Sequence, residues 1–494
     1  MPATRNFLQG RLASTNALLA VVCLAQFMII LDVSIVNVAL PSIRDGLRFS
    51  TTGLQWVVNA YTLTFAGLLM LGGRSADLLG RRRVFLAGIA MFSLSSLICA
   101  LASSRGLLIG ARGVQGIAGA ITSPATLSII TSTLPEGRER NRGLGLWGAM
   151  GALGASSGAL LGGILTQAFG WQAIFAVNIP LGAVVVGLGL LAIPSIAPVE
   201  GHPRHFDALG ATLVTAGLIA LTFGIVRTDT LGWGSPGVLA PLAAGVALLA
   251  TFLYVEARVA QAPLVPLQIF RIRQLRAANV VVVALYASTF PAFFFITLYL
   301  QQVLHYSAIG AGLAFLPWTL SIFTGSTLAP RVVARFGARR VIALAMLAVA
   351  GGMALFAGIA PGGSYAGAVL PGALLAALGM GFSLVPSTIA AMQGVPGRQS
   401  GVASGLLNTS RLLGGALGLA ILSTIAAGHT RGVAAAGAPG ALTGGFDLAF
   451  TVAVGFALIG ALVAAVGLRP ASERAAVADL AEPIEADERR ALAA

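Results

Sequence analysis

The sequence predicts an all-α integral membrane protein with about fourteen membrane-spanning helices. Its 494 residues are 57% hydrophobic and only 9% charged, and their mean hydropathy is +0.91. Soluble proteins carry about 25% charged residues, so this composition excludes an ordinary soluble fold. Apolar runs of roughly 20 residues, the length that crosses a bilayer as a helix, recur along the whole chain.

Short polar connections separate the apolar runs, and each run predicts one helix. The predicted helices lie near residues 17–40, 53–73, 83–102, 106–127, 143–165, 173–193, 208–226, 237–256, 277–301, 308–328, 339–359, 366–387, 402–427 and 446–468. Two of the longest polar connections, near 194–207 and 257–276, bracket one helix pair. The predicted arrangement is therefore six helices, two inserted helices and six further helices.

This arrangement divides the chain into five segments. They are an N-terminal tail at 1–16, a six-helix bundle at 17–200, two linker helices at 201–265, a second six-helix bundle at 266–468 and a C-terminal tail at 469–494. Neither tail has the composition of a folded domain, so the function is expected to lie in the membrane-spanning part.

Arginine placement predicts the orientation of the helices. All 30 basic residues are arginines, and most lie in the tails or in loops on the same side of the membrane. The opposite side holds only Arg44, Arg48, Arg105, Arg227 and Arg431. Because cytoplasmic loops are enriched in positive charge, both termini are expected in the cytoplasm. The net charge of +14 therefore reflects orientation and does not indicate a nucleic-acid partner.

The first predicted helix contains an aspartate, Asp32, within the sequence LDVSIVNVALP at 31–41. An ionised carboxylate at that depth is costly, so such a residue usually faces a partner or a water-filled cavity. Desolvation favours the neutral acid. A carboxyl group that gains and loses a proton inside the membrane is what a proton-coupled transporter requires. The alternative is a structural acid paired permanently with a buried arginine.

The fourth predicted helix carries the sequence RGVQG at 112–116. Arg112 also requires a partner inside the membrane. Asp32 lies eight residues from the outer end of its helix and Arg112 lies six residues from the outer end of its own, distances of about 12 and 9 Å at the helical rise. The two side chains are expected at similar depth, where they can form a switchable ion pair if the helices are adjacent. A fixed packing pair is the alternative.

A basic turn with the sequence GRSADLLGRRR follows the second predicted helix and begins at Gly73. Gly80 lets the chain turn tightly, because glycine has no Cβ. Asp77 can cap the next helix or pair with Arg81 or Arg82. The alternative is an ordinary loop of the positively charged side.

A similar turn, PRVVARFGARR at 330–340, follows the tenth predicted helix and lacks the aspartate. The two turns occupy the same place in each six-helix half. This weak internal repeat indicates two related halves, as in many transporters.

The fifth predicted helix carries a stripe of glycines, which includes Gly154, Gly158, Gly162 and Gly163. Small residues let helices pack closely in lipid, and glycine also permits local bending. The stripe ends in the sequence GALLGG, with Ala159 at its second position. A packing stripe without a further role explains this pattern nearly as well.

Together these motifs resemble the major facilitator superfamily, and specifically its fourteen-helix drug:proton antiporter family. The resemblance rests on LDVSIVNVALP, on the GRSADLLGRRR turn, on RGVQG, on WQAIFAVNIPLG at 171–182, on DALG at 207–210 and on YLQQ at 299–302. It covers nearly the whole chain apart from the tails, and it does not indicate a particular substrate. Ala159 departs from the family pattern G-P-x-x-G-G, where the second position is proline.

The resemblance implies a mechanism and residue roles. Asp32 would carry the proton, Arg112 would be its partner, and the nearby motif residues are Asn37, Gln115 and Gly116. A cytoplasmic gate would be formed by Gly73, Asp77, Gly80, Arg81 and Arg82. The glycines of helix five would let that helix bend or slide. Two bundles would rock around a midplane cavity and exchange substrate for protons.

The aromatic residues of helix nine and the single deep carboxylate suggest the substrate class. Phe290, Phe294 and Tyr299 can bind flat lipophilic cations through their ring faces; packing in the core or against lipid is the alternative. One deep acid favours monocationic or neutral lipophiles over dications. The sequence shows neither a P-loop nor a metal-ligand cluster, so the expected driving force is the proton gradient and no cofactor is expected.

We therefore expect a proton-coupled exporter of lipophilic drugs or antibiotics in the bacterial plasma membrane. Its expected partners are small lipophilic substrates, protons and the lipid bilayer, and it is expected to function as a monomer. The alternatives are an exporter dedicated to one metabolite, siderophore or self-made antibiotic, and a solute importer. An enzyme is disfavoured because no catalytic residues cluster at one membrane face, and a sensor because the tails are too short to form a domain.

Overall fold

A computed structural model describes residues 2–135, 138–194, 207–260, 263–395, 400–435 and 440–468. All regular secondary structure in these residues is helical, and none of them forms a β-strand. The first half contains α1 (Pro2–Leu47), α2 (Thr51–Leu79), α3 (Arg81–Ala100), α4 (Arg105–Thr133), α5 (Arg138–Phe169), α6 (Ala173–Ala176) and α7 (Asn178–Ala192). A helix pair follows, formed by α8 (Ala208–Leu231) and α9 (Pro236–Arg258).

The second half of the chain is also entirely helical within the described ranges. It contains α10 (Arg273–Leu298), α11 (Ala308–Ala314), α12 (Leu316–Phe336), α13 (Ala338–Phe356), α14 (Leu370–Met392), α15 (Ser400–Ala435) and α16 (Ala441–Gly467). A π-helical segment at Tyr299–Val303 continues α10, and another at Tyr365–Val369 leads into α14. A 3₁₀ turn at Leu267–Arg271 precedes α10.

Membrane-spanning helices make up most of this fold. Among the described residues, 12 helical stretches are long and apolar enough to cross a bilayer. This finding confirms the prediction of an all-α membrane protein. The 29-residue α2 and the 32-residue α5 are two further long helices of the same bundle.

The span predicted to begin near residue 17 corresponds to an apolar stretch that begins at Thr15, within the longer helix α1. The predicted end of the second helix is wrong. The second was expected to end near 73, whereas α2 continues to Leu79, so Gly73 and Asp77 lie within a helix instead of a turn. Hydropathy marks the part of a helix that crosses lipid, and polar residues extend these two helices beyond it. The predicted tail at 469–494 lies outside the described residues.

Side-chain caps mark the beginnings of α2 and α4. Ser50 Oγ accepts a hydrogen bond from the Gly53 N–H at 3.0 Å, at the start of α2. Ser104 Oγ accepts one from the Leu107 N–H at 3.3 Å, at the start of α4. Such caps satisfy N–H groups that lack a partner within the helix. They determine where the helix that carries Arg112 begins.

The helix pair between the two halves contacts both of them. Helices α8 and α9 pack mainly on each other, and α8 also contacts α2 of the first half and α15 of the second. Leu63 of α2, Leu218 of α8 and Ala416 of α15 form one small buried cluster. The pair therefore packs, through α8, against helices from both halves of the chain.

The glycine stripe of α5 lies against α1. A methyl carbon added at Gly154 would lie 2.8 Å from the carbonyl oxygen of Phe27, and one at Gly162 would lie 2.7 Å from that of Ile35. One at Gly158 would collide with the Ser34 hydroxyl, which itself donates a hydrogen bond to the Gly154 carbonyl at 3.0 Å. The stripe thus lets α5 contact the backbone of α1 on both sides of Asp32.

The two halves also meet at the end where α1 finishes. The Gln301 side-chain amide donates to the Val38 carbonyl at 2.8 Å. A methyl carbon at Gly163 of α5 would lie 2.5 Å from the Ala308 carbonyl oxygen. A methyl carbon added at Gly312 of α11 would collide with the Ala159 carbonyl oxygen in the same way. Small residues on α5 and α11 therefore hold the halves together at this end.

We predict that Gly162→Leu destabilises the protein by about 1–3 kcal/mol, because the larger side chain must push α5 away from the α1 backbone. Thermal unfolding in detergent provides the measurement. The matched control is Gly187→Leu on α7, since nothing lies within 4 Å of a methyl carbon added there. Equal melting temperatures for the two variants would contradict the close packing of α1 and α5.

Candidate functional site

Asp32 lies in the middle of α1, and its side chain is completely buried. Three side-chain donors surround its carboxylate. Arg112 Nη1 donates to Oδ2 at 2.6 Å. Gln115 Nε2 and Asn178 Nδ2 donate to Oδ1 at 2.8 and 2.9 Å. Because both oxygens act only as acceptors, the arrangement fits the ionised form of the acid.

Arg112 is held on several sides at once and is 1% exposed. Its Nε donates to the Val57 carbonyl of α2 at 2.9 Å, and its Nη1 also donates to Gln115 Oε1 at 2.7 Å. The guanidinium carbon lies 4.4 Å from the ring centroid of Tyr61 and 5.7 Å from that of Phe175. Such a desolvated cation gains from contact with aromatic ring faces.

Gln115 extends this network to a further helix. Its Nε2 donates to Ser96 Oγ at 2.7 Å, and the Ser96 hydroxyl donates to the Phe92 carbonyl at 2.8 Å. The Cys99 thiol lies 3.8 Å from Gln115 Oε1. The Asp32 network, meaning Asp32, Arg112, Gln115, Asn178 and Ser96, therefore connects α1, α3, α4 and α7, and the Val57 carbonyl adds α2.

The local sequence explains why these side chains converge. Arg112 and Gln115 are three residues apart on α4, so both point to the same face. Gly116 allows α4 to approach α2, because an added methyl carbon would collide with the Tyr61 carbonyl and the Thr64 hydroxyl. The same Thr64 hydroxyl donates to the Gly113 carbonyl of α4 at 2.9 Å.

Asn178 belongs to the Asp32 network, although the sequence analysis did not predict this. The helix is interrupted between α6 and α7, and Asn178 is the first residue of α7. It is completely buried within the motif WQAIFAVNIPLG. A polar amide inside an apolar run was the available signal, but spacing alone could not show that it faces α1.

Asn37 does not join the Asp32 network. Its amide donates to the carbonyls of Val33 and Ser34, at 3.2 and 3.3 Å, within its own helix. Asn37 therefore bonds locally, one turn beyond the ion pair, and contributes no hydrogen bond to Asp32.

The residues of the expected cytoplasmic gate lie around the junction of α2 and α3. Gly80 alone separates the two helices and has a positive φ of 94°, a conformation that favours glycine. Arg82 Nη2 donates to the Leu190 carbonyl of α7 at 2.7 Å. Gly73 packs within α2, where an added methyl carbon would lie 3.5 Å from Pro124. The side chain of Asp77 lies outside the described residues.

Two of the three aromatic residues expected to line a substrate cavity are instead buried in the core. Phe294 is 1% exposed and packs edge-on against Phe295. Tyr299 is completely buried, and its hydroxyl donates to the Ala360 carbonyl at 2.8 Å. Phe290 is partly exposed and faces Gly415 of α15. The rotation of α10 decides this outcome, and the rotation cannot be deduced from composition.

The fold is that of a polytopic membrane protein, and the family and relatives that it matches are transporters, not enzymes. The chain belongs to the Major Facilitator Superfamily, whose sequence model matches residues 22–419. The chain is 41% identical to the cephamycin export protein of Amycolatopsis lactamdurans, an alignment that covers 86% of this chain and 88% of that protein. It is 39% identical to the puromycin resistance protein of Streptomyces alboniger, over 89% of this chain and 88% of that protein.

Solved structures support the same fold at much lower sequence identity. The POT family transporter PepTSo superposes with a TM-score of 0.66 at 16% identity, over 92% of this chain and 97% of that one. A bacterial homologue of the human lysosomal transporter Spinster superposes with a TM-score of 0.63, also at 16% identity, over the same shares of the two chains. At these identities the similarity concerns the fold alone.

We predict that Arg112→Leu alone is more destabilising than the double variant Asp32→Asn/Arg112→Leu. Removing one partner of a buried ion pair leaves an unpaired charge and costs about 3–5 kcal/mol, whereas removing both leaves no charge. Thermal unfolding of the wild type, both single variants and the double variant forms a complete double-mutant cycle. If the loss of stability in the double variant equals the sum of the losses in the two single variants, the residues do not interact.

Proposed function

We propose that this protein exports small-molecule antibiotics or drugs in exchange for protons, by alternating access between its two halves. The buried Asp32–Arg112 ion pair carries this proposal. Both carboxylate oxygens of Asp32 accept hydrogen bonds, from three side-chain donors in all, and Arg112 has no other acid within ion-pair distance among the described residues.

Proton binding and the ion pair exclude each other. A protonated Asp32 has lost its charge and presents an O–H group where it previously accepted a hydrogen bond. Arg112 would then remain as an unpaired cation in the membrane interior, which is energetically unfavourable. Proton uptake therefore favours a conformation in which Arg112 finds water or another partner. Such a difference between two states is what couples a ligand to a conformational change.

The geometry connects this switch to the contact between the halves. Asp32 and Val38 lie on the same helix, six residues or about 9 Å apart, and the Val38 carbonyl accepts the hydrogen bond from Gln301 of the second half. Helix α5 packs along α1 through its glycines and reaches Ala308 through Gly163. A displacement of α1 on protonation would therefore be transmitted to both contacts.

We also propose the finer topology that the sequence predicts. Adding α2 and α5 to the 12 composition-defined spans gives fourteen. In this topology, helices up to residue 200 form one bundle, the pair at 201–265 is inserted, and 266–468 forms the second bundle. Both termini would lie in the cytoplasm, because the arginine-rich loops share their side. The contacts of α8 with both halves support an inserted pair.

The names of the relatives suggest the nature of the cargo. One relative is a cephamycin export protein, and others are puromycin and lincomycin resistance proteins. We infer that this chain exports an antibiotic-sized organic molecule. The second candidate is an exporter dedicated to one such compound, which the single-antibiotic names of these relatives favour.

We predict that Asp32→Asn abolishes proton release coupled to drug transport. Everted vesicles with an acidified interior would receive puromycin, lincomycin or ethidium while a fluorescent pH indicator reports the interior pH. We expect the wild type to release protons from the vesicle interior with at least one compound. In everted vesicles, the export reaction carries drug into the vesicle in exchange for these protons. Asp447→Asn serves as the matched control, since Asp447 is exposed near the start of α16.

The outcomes of this experiment separate the candidates. Normal exchange by Asp32→Asn would show that Asp32 is structural and does not carry the proton. Proton release with several unrelated compounds supports a multidrug exporter, whereas release with one supports a dedicated exporter. If the wild type moves no compound against a gradient, the proposed export function is wrong.

We predict that Gly80→Val slows transport more than it weakens drug binding. We propose that the α2–α3 junction is a cytoplasmic gate, and valine is strained at the positive φ of Gly80. Transport rate and equilibrium binding of puromycin are measured on the same preparation. The control is Gly106→Val at the start of α4, where nothing lies within 4 Å of an added methyl carbon. Equal losses of binding and rate would argue against a gate.

A further inference from the structure

A second arginine lies inside the membrane, on α15 of the second half. Arg411 is nine residues from Val402, where the apolar stretch of this helix begins, or about 14 Å along the helix axis. Arginines at such positions are rare and face the interior of the bundle, where they pair or line a pathway.

Arg411 has an incomplete set of partners. Its Nη2 donates to Thr388 Oγ1 of α14 at 2.8 Å. Its Nε is buried and donates no hydrogen bond. No carboxylate of the described residues lies within ion-pair distance of its guanidinium, in contrast to Arg112. The side chain is partly exposed, so the charge retains access to its surroundings.

The neighbours of Arg411 on α15 show how this helix packs against others. The Thr409 hydroxyl lies 3.4 Å from the Ala66 carbonyl of α2, in the first half. The Ser410 hydroxyl donates to Asn279 Oδ1 of α10 at 2.7 Å. These contacts place α15 between α2 of the first half and α10 of the second, while Arg411 itself contacts Thr388 of α14.

Other acidic residues of the described chain are engaged elsewhere. Both oxygens of Asp32 accept hydrogen bonds from its own network. Asp207 caps α8 through the Gly210 N–H, and Glu256 accepts from two backbone N–H groups near the end of α9. Asp447 is exposed near the start of α16. None of these carboxylates therefore compensates the positive charge of Arg411, which lies on a helix that packs against both halves.

We propose that Arg411 binds the carboxylate of an anionic, largely apolar substrate. The guanidinium has no acidic partner among the described residues and is partly exposed, so it can donate to a carboxylate. Such a charge-assisted hydrogen bond is among the strongest that a protein forms. Gly415 lies one turn beyond Arg411 on α15, and Phe290 of α10 lies beside it. The Phe290 side chain is partly exposed, so its ring can contact the apolar part of the substrate. This inference rests on the proposed export function and replaces the expectation of monocationic substrates.

The test compares carboxylates with their neutral esters. Benzylpenicillin and fusidic acid, each with its methyl ester, would be titrated into the full-length protein in phosphatidylcholine nanodiscs. Calorimetry gives the dissociation constants for the wild type, Arg411→Gln and Arg411→Lys. We expect at least one acid to bind the wild type about tenfold or more tightly than it binds Arg411→Gln, because hydrogen bonds between charged groups exceed neutral ones. Its ester should bind both proteins equally, and Arg411→Lys should retain part of the preference.

Two results would overturn the inference. If neither acid binds the wild type more tightly than its ester does, Arg411 does not recognise a carboxylate. If Arg411→Gln weakens the binding of acid and ester equally, the role of Arg411 is structural. Melting temperatures of all variants identify misfolded protein, and Thr388→Val, which removes the hydroxyl partner of Arg411, should reduce acid binding without affecting the ester.

Further arms separate this inference from its neighbours. If 20% phosphatidylglycerol in the nanodiscs abolishes the preference for the acid, Arg411 binds a lipid headgroup and the substrate inference fails. If the wild type exports puromycin with proton release but shows no acid preference, only the carboxylate inference fails. If acid binding depends on Arg411 but no compound moves protons, the proposed export mechanism fails while the carboxylate site stands.

Discussion

The buried ion pair between Asp32 and Arg112 is the interaction on which the first half of this protein depends. Two charges without access to water are tolerable only when each is paired and hydrogen-bonded. Here that requirement brings together α1, α4 and α7, while a carbonyl of α2 and a hydroxyl of α3 complete the shell. The positions of five helices are therefore linked to the charge state of one carboxyl group.

Close helix packing converts this local condition into a property of the whole fold. Gly154 and Gly162 place α5 directly on the α1 backbone, and Gly163 continues the contact to the second half. Glycine contacts of this kind leave little free space, so a movement of α1 cannot be absorbed by side-chain rearrangement. The proposed exchange of protons for cargo would use this rigid connection between the ion pair and the contact of the two halves.

The two halves differ in how they treat their membrane-embedded arginines. In the first half Arg112 is fully neutralised and shielded from solvent, which suits a switch. In the second half Arg411 has a hydroxyl partner, no acidic partner among the described residues and a partly exposed side chain, which suits a ligand. In the proposed mechanism, this asymmetry would separate the proton site from the cargo site in space. The two events would then influence each other through helix positions, without competing for one site.

The sequence alone determined the class of protein, because bilayer thickness imposes apolar runs of defined length and makes embedded charges conspicuous. It singled out Asp32 and Arg112, and residue counts along the helices predicted that they lie at similar depth. Only the tertiary structure decided that α1 and α4 are neighbours, that Asn178 is the third donor, and that Phe294 and Tyr299 are buried. These features depend on which helices are adjacent and how each is rotated about its axis, and spacing along one helix contains neither piece of information.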